Sequence, residues 1–203
     1  MYNIIVKKYG GPENLTFQRL KEEKIGKNDV KIKVNYAGVN FADILTIKGR
    51  YQERPRPPFT PGLEVSGEVI EVGSNVLKLQ INDKVMAIMK YGGYKELVNI
   101  PEENTYKVLT GMPLKIAGGF PVAYGTAFTA VVTKGKIKNK ETCLILGATG
   151  GVGLAAIEIA KAYGSKVIAC GGNDEKLKIC QKHGADYVIN YKNEIIRSKL
   201  KNL

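Results

Sequence analysis

Hydrophobic and polar positions change rhythm along this chain. In its first half, apolar residues fall in short alternating or continuous runs at residues 4–6, 30–34, 67–72 and 84–89. Turn chemistry separates them: Gly10-Gly-Pro12, Gly26-Lys-Asn28, Pro55-Arg-Pro-Pro58 and Gly73-Ser-Asn75. Short runs bounded by such residues predict strands, and this spacing suggests a small barrel-like or sandwich domain. Residues 43–48 are expected to form a short helical turn. After Pro113 the period lengthens. Residues 114–120 and 124–132 read as helical, with Pro121 expected to separate them.

The run Cys143-Leu-Ile-Leu-Gly-Ala-Thr-Gly-Gly-Val-Gly153 follows. An apolar strand feeds a glycine-rich turn. A helical pattern covers residues 152–163 and stops at Gly164, a residue suited to the left-handed position beyond a helix end. Residues 166–170 make a second apolar run, residues 187–191 a third, and a last helix is expected over 193–200. Strand, tight turn, helix, strand is the context in which a glycine fingerprint marks a dinucleotide site. A diphosphate must approach the backbone at a helix start, where unpaired N–H groups and the positive end of the helix dipole favour an anion. Gly150 keeps side chains out of that approach, and Gly153 lets the helix pack close to the sheet. The first glycine of the usual fingerprint is Ala148 here. An ordinary glycine-rich turn is the competing reading of the motif alone.

The fold class is therefore α/β, with a β-rich domain over residues 1–121 and a dinucleotide-binding domain over 122–203. The domains are expected to share a helix, because no Pro/Ser-rich linker separates them. At the end of the second apolar run an NAD site usually carries an acid for the ribose diol. This sequence has Cys170-Gly-Gly-Asn173, then Asp174 and Glu175, with Lys176 and Tyr191 nearby. A cation and a phenol suit a ribose 2′-phosphate, which favours NADPH. Lys176 taken alone also reads as a solvated helix lysine, and Asp174 or Glu175 turned inward would favour NADH.

Composition adds bounds. Three widely spaced cysteines, Cys143, Cys170 and Cys180, suit buried thiols in a reducing compartment. The chain opens on a strand-like run rather than a charged-then-apolar leader, so a cytoplasmic, non-membrane protein is expected. The formal charge of +12 includes a cluster at Lys134-Gly-Lys-Ile-Lys-Asn-Lys140. Without interleaved aromatics, that cluster reads as a solvated surface before it reads as a nucleic-acid footprint.

Ordered motifs run through the chain: Lys8-Tyr-Gly-Gly-Pro12, Ala37-Gly-Val-Asn-Phe-Ala-Asp43, Gly49-Arg-Tyr51, Pro58-Phe-Thr-Pro-Gly-Leu-Glu64 with Gly67, Val72-Gly73, Gly92-Gly-Tyr94, Tyr124-Gly-Thr-Ala127, the glycine turn, and Val188-Ile-Asn-Tyr191. Together they resemble the medium-chain dehydrogenase/reductase superfamily, in its zinc-free quinone oxidoreductase (zeta-crystallin-like) branch. The resemblance implies a GroES-like domain followed by the first βαβαβ half of a Rossmann domain. It also implies NADPH-dependent hydride transfer to a quinone or related α,β-unsaturated carbonyl. Zinc relatives carry Cys where Asn40 stands and His where Leu63 stands, so no metal is expected.

By the same resemblance, Asn40 and Thr126 approach the nicotinamide end of the cofactor. Tyr51 lines the substrate pocket, and Asp43 and Glu64 organise the groups around it. Gly150, Gly151, Val152 and Gly153 cradle the diphosphate. Lys176 and Tyr191 match the family's 2′-phosphate contacts, and Asn173 joins them by position. Each residue also has a plainer reading: Asn40 as a turn residue, Tyr51 as a surface phenol, Thr126 as a helix-start cap, Glu64 as a locally paired carboxylate, and the lone His183 as a surface residue. The family is usually homodimeric. A Rossmann domain normally has six strands. Three are expected here, which leaves the last with an unpaired edge and the chain's own activity open. An enoyl-thioester reductase and a non-catalytic RNA-binding or structural member are the alternatives.

Overall fold

The computed structural model describes residues 1–201. The chain divides into two compact units, Met1–Val122 and Ala123–Leu203.

In the first unit, β1 (Tyr2–Val6) pairs antiparallel with β2 (Leu15–Arg19). A five-stranded antiparallel sheet holds β3 (Asp29–Ala37), β4 (Glu64–Val72), β5 (Lys84–Ile88), β6 (Leu97–Pro101) and β7 (Thr105–Lys107), in the order β6-β3-β4-β5-β7. Helix α1 (Phe41–Ile47) fills the connection from β3 to β4. Val30 and Ile32 of β3 meet Val65 and Val69 of β4, Val85 and Ala87 of β5, and Val98 and Ile100 of β6 in one buried cluster. Alternation sends these β-branched residues inward, and each large one contributes roughly 1.5–3 kcal/mol. The register between β3 and β4 shifts after Lys31 and again after Val34. Such irregularities bend a strand and re-aim the residues beyond them. The second precedes the Gly38–Asn40 turn into α1. Lys31 is buried between Glu22 (2.7 Å) and Glu71 (2.5 Å).

Four expected strands exist, most of them longer than their apolar runs, while β2, β6 and β7 were not anticipated. The helices before the glycine turn differ more. Helix α2 is only Leu114–Ala117, and α3 runs Phe120–Phe128, continuing as a wider π-helical stretch over Thr129–Lys134. Pro121 therefore does not separate two helices. It sits in the first turn of α3, where its missing N–H leaves no intrahelical bond unmade. The break falls at Gly118–Gly119.

The second unit holds a parallel sheet of β8 (Thr142–Leu146), β9 (Lys166–Gly171) and β10 (Tyr187–Asn190), ordered β10-β9-β8. Helix α4 (Gly151–Ala162) joins β8 to β9, and α5 (Asp174–Lys182) joins β9 to β10. The last helix, α6, covers only Ile196–Leu200, shorter than expected. Along α4, Gly153, Ala155, Ala156, Ile157 and Ala160 are buried, a stripe of mostly small residues that lets the helix approach the sheet. Gly164, φ +76°, ends that turn as anticipated. Two strands, not one, lie at an edge: β10, and also β8, where Leu144 and Leu146 are 40% and 66% exposed.

Candidate functional site

The glycine turn takes its shape from four glycines with different tasks. Gly147 has φ +66°, a conformation that favours glycine, and there the chain leaves β8. The next residue, Ala148, is fully buried, and its N–H donates to Cys170 O at 3.0 Å. The sharp turn of the fingerprint thus belongs to Gly147, one residue before the position assigned to it from sequence. Gly150 is the N-cap of α4, in extended conformation. A Cβ at Gly150 would find only Gly147 O, at 3.8 Å, and one at Gly151 only Ala123 Cβ, at 4.0 Å. The chain itself fills neither space. At Gly153 a Cβ would stand 2.6 Å from both Ala148 Cα and Gly147 O, so this glycine serves close packing of helix on sheet. Gly151, Val152 and Gly153 form the first turn, whose N–H groups have no intrahelical acceptor. An exposed backbone cradle at the positive end of a three-turn helix fits a diphosphate.

Asn173 and Lys176 follow the end of β9, and Tyr191 follows the end of β10. The side-chain oxygen of Asn173 caps α5, accepting from Lys176 N at 2.9 Å. Tyr191 lies against Gly172, where a Cβ would meet its hydroxyl at 2.8 Å. The Lys176 side chain is exposed, and Tyr191 is half-exposed. The two acids that might favour a ribose diol have other partners: Asp174 accepts from Asn190 Nδ2 at 2.7 Å, and Glu175 pairs with Lys178 at 2.7 Å.

A second polar group lies in the first unit, at the head of α1. Asn40 is the N-cap. Its N–H donates to Asp43 Oδ2 at 2.8 Å, and the Asp43 N–H donates back to the Asn40 carbonyl at 3.0 Å. Asp43 also accepts from Gly62 N (3.1 Å) and from the Tyr94 hydroxyl (3.0 Å). Glu64, at the start of β4, accepts from Asn40 Nδ2 at 2.7 Å and from Val122 N at 2.9 Å. Both carboxylates are 1% exposed. Burial pushes Asp43 and Glu64 above the usual carboxylate range, although their hydrogen bonds pull the other way. Burial, followed by the Asp43 charge, raises the Tyr94 phenol. Gly38 makes room for this group, since a Cβ there would sit 2.2 Å from Glu64 Oε1. Tyr94, in the Gly92-Gly-Tyr94 motif and without a role read from sequence, is thus a member of the cluster.

The remaining candidates lie as follows. Tyr51 follows α1, is half-buried, and its carbonyl accepts from Arg54 Nε at 3.2 Å. Thr126 is exposed in the interior of α3, so it is not a helix-start cap. Asn40 and Tyr51 belong to the first unit; Thr126, the glycine turn, Asn173, Lys176 and Tyr191 belong to the second. His183 is more than a surface residue. It is half-buried, with Nδ1 2.6 Å from Glu158 Oε1, and the Tyr124 hydroxyl donates to the other oxygen of the same carboxylate. That bond, with burial, pushes the Tyr124 phenol up to about 12. Lys134, Lys136, Lys138 and Lys140 are all exposed. Among the described residues, no helix is long and apolar enough to cross a membrane.

Comparison with known proteins agrees with this architecture. Residues 26–110 match the alcohol dehydrogenase GroES-like domain, and residues 151–203 match the family described as zinc-binding dehydrogenase. Quinone oxidoreductase-like protein 2 of Mus musculus is 37% identical over 190 residues, covering 93% of this chain and 54% of the mouse protein. Quinone oxidoreductase of Homo sapiens is 34% identical over 203 residues, covering 99% and 62%. The structure of Escherichia coli quinone oxidoreductase complexed with NADPH superimposes with a TM-score of 0.94 at 30% identity, covering 100% of this chain and 62% of that one. The chain belongs to the medium-chain dehydrogenase/reductase superfamily, in its quinone oxidoreductase branch. It spans about half to three-fifths of the length of these relatives.

Proposed function

We propose that the chain belongs to an NADPH-dependent oxidoreductase that delivers hydride to a quinone or a related α,β-unsaturated carbonyl without zinc. The observation that carries this reading is the turn from Gly147 to Gly153, whose Gly150 and Gly151 leave open the space a diphosphate needs. Its support includes the structure of Thermus thermophilus quinone oxidoreductase and its complex with NADPH, 30% identical with a TM-score of 0.86. In this reading residues 1–121 form the substrate domain and residues 122–203 the first part of the cofactor domain.

The cofactor supplies the hydride when bound. The chain supplies binding, position and charge. The N–H groups of Gly151, Val152 and Gly153 hold the diphosphate, with Gly150 keeping the approach clear. Lys176, Asn173 and Tyr191 recognise the 2′-phosphate, while Asp174 and Glu175 are engaged elsewhere. Thr126 and Asn40 orient the nicotinamide. Tyr51 and Asn40 donate hydrogen bonds to the acceptor oxygen as it gains negative charge, the work a metal does in zinc relatives. The zinc positions do not fit a metal. Asn40 and Leu63 offer no usual ligand there, and a catalytic zinc needs three protein ligands of the His, Cys or carboxylate type.

Purified protein should oxidise NADPH in the presence of a quinone, and Tyr51→Phe should lower that turnover with NADPH binding retained. Unchanged kinetics would remove Tyr51 from the mechanism. Turnover with enoyl thioesters but not quinones would move the protein to the sister activity. Nil turnover together with salt-sensitive RNA binding that NADPH displaces would favour the non-enzymatic alternative.

A further inference from the structure

Glu64 is buried, titratable and held from two sides, yet the proposed chemistry does not use it. Its two carboxylate oxygens each take one donor: Oε1 takes Asn40 Nδ2 at 2.7 Å, and Oε2 takes the Val122 backbone N–H at 2.9 Å. Val122 stands in the first turn of α3, so that donor is one of the helix's unpaired N–H groups. With an acceptor contact on each side, the carboxylate is fixed in rotation.

A carboxamide has one acceptor end and one donor end, and its neighbours dictate which end points where. Turning the Asn40 amide over would set Oδ1 against a carboxylate oxygen at 2.7 Å, and that contact repels. In the observed orientation one Nδ2 hydrogen is committed to Glu64, and the second is left to donate. Asn40 is thereby kept as a donor, the polarity needed beside an oxygen that gains negative charge. The flipped amide would present a carbonyl oxygen to the same charge.

We infer that Glu64 is a positioning residue that acts through Asn40: anchored by the Val122 N–H, it locks the Asn40 amide with its N–H end available to the electron acceptor. This rests on the proposed reductase activity, in which Asn40 is the residue that donates.

Glu64→Gln is the discriminating change. Both neighbours of the carboxylate are donors, and Gln offers one acceptor and one donor where Glu offers two acceptors. One contact must become donor against donor, or Asn40 must turn over. The side-chain amide resonances of Asn40 in the 203-residue chain report this without any turnover. In the wild type the Nδ2 proton bonded to Glu64 should exchange slowly with solvent, and in Glu64→Gln it should shift and exchange faster.

In kinetics, Glu64→Gln should lower kcat with a quinone by about tenfold to a hundredfold, short of the larger loss from deleting an oxyanion donor outright. The NADPH dissociation constant should stay within about twofold, separating a positioning role from loss of the fold. Fast exchange of both wild-type Asn40 amide protons overturns the inference, and this measurement needs no variant to fold. Unchanged Asn40 resonances and unchanged kcat in Glu64→Gln overturn it as well. A chain with no turnover defeats the activity reading alone, and the amide measurement then decides the role of Glu64.

Discussion

The two units present their candidate chemistry in opposite ways. In the first, side chains carry it: Asn40, Asp43, Glu64 and Tyr94 are interlocked, two of them as carboxylates withdrawn from water. In the second, backbone carries it. Gly150, Gly151 and Val152 are exposed, and the chain leaves space above the two glycines. The first arrangement fixes directions and does so against the desolvation of charge. The second fixes almost nothing beyond a helix start and relies on N–H groups that every residue but proline possesses. Substitutions should therefore harm the first through polarity and the second through volume.

The largest expected effect tests volume. Gly153→Val places carbon against backbone that cannot move aside, so the second unit should lose about 1–3 kcal/mol or more, read as a lowered Tm. Gly150→Ala has 3.8 Å to its nearest neighbour and should leave Tm nearly unchanged. It should nevertheless weaken NADPH by about tenfold or more in a titration, because the methyl group occupies the anion's approach. Equal Tm losses for the two variants would break the contrast. Next in size is Lys176→Ala. Loss of a charge-assisted contact should weaken NADPH by about tenfold while NADH binding barely changes. Equal weakening would show that Lys176 does not read the 2′-phosphate.

The smallest effect concerns pH, and its sign should differ between the units. Burial raises the pKa of Glu64, so the folded state holds its proton more tightly than the unfolded chain does. The stability advantage of wild type over Glu64→Gln should shrink as pH rises from the ordinary glutamate range through the raised folded value. The Lys161 ammonium lowers Asp186, with the Val167 N–H assisting at 2.6 Å. The advantage over Asp186→Asn should therefore grow as pH rises from that lowered value to the ordinary aspartate range. Asp186 is about a third exposed, so its effect should stay below about 1 kcal/mol. Urea melts across the acid range would measure both, and slopes of the same sign would contradict the assigned directions.

How far the sequence speaks also differs between the units. The parallel strands were legible because they are continuous apolar runs punctuated by glycines, and in β9 the run Lys166-Val-Ile-Ala-Cys170 is buried almost throughout. β2 was not legible: Leu15-Thr-Phe-Gln-Arg19 is half-exposed and its backbone pairs with β1. Three-residue β7 is too short for any period. Pro121 misled because proline breaks a helix interior and suits its first turn, and composition does not say which applies. In the candidate site, residue types were readable and contacts were not. Asn40 and Glu64 are 24 residues apart, and His183 and Glu158 are 25 apart. Only folding brings such pairs into register. Tyr94 was visible in Gly92-Gly-Tyr94, but nothing local aims its hydroxyl at Asp43.

The open flank of β8 among the described residues bears on how this 203-residue chain behaves in a concentrated stock. Leu144 and Leu146, beside unpaired strand amides, are accessible to any extended peptide, including one from another copy. The surplus of positive charge makes one copy repel another at low ionic strength. Added salt screens that repulsion and leaves the sticky flank untouched, so precipitation should set in as ionic strength rises, with each molecule still folded.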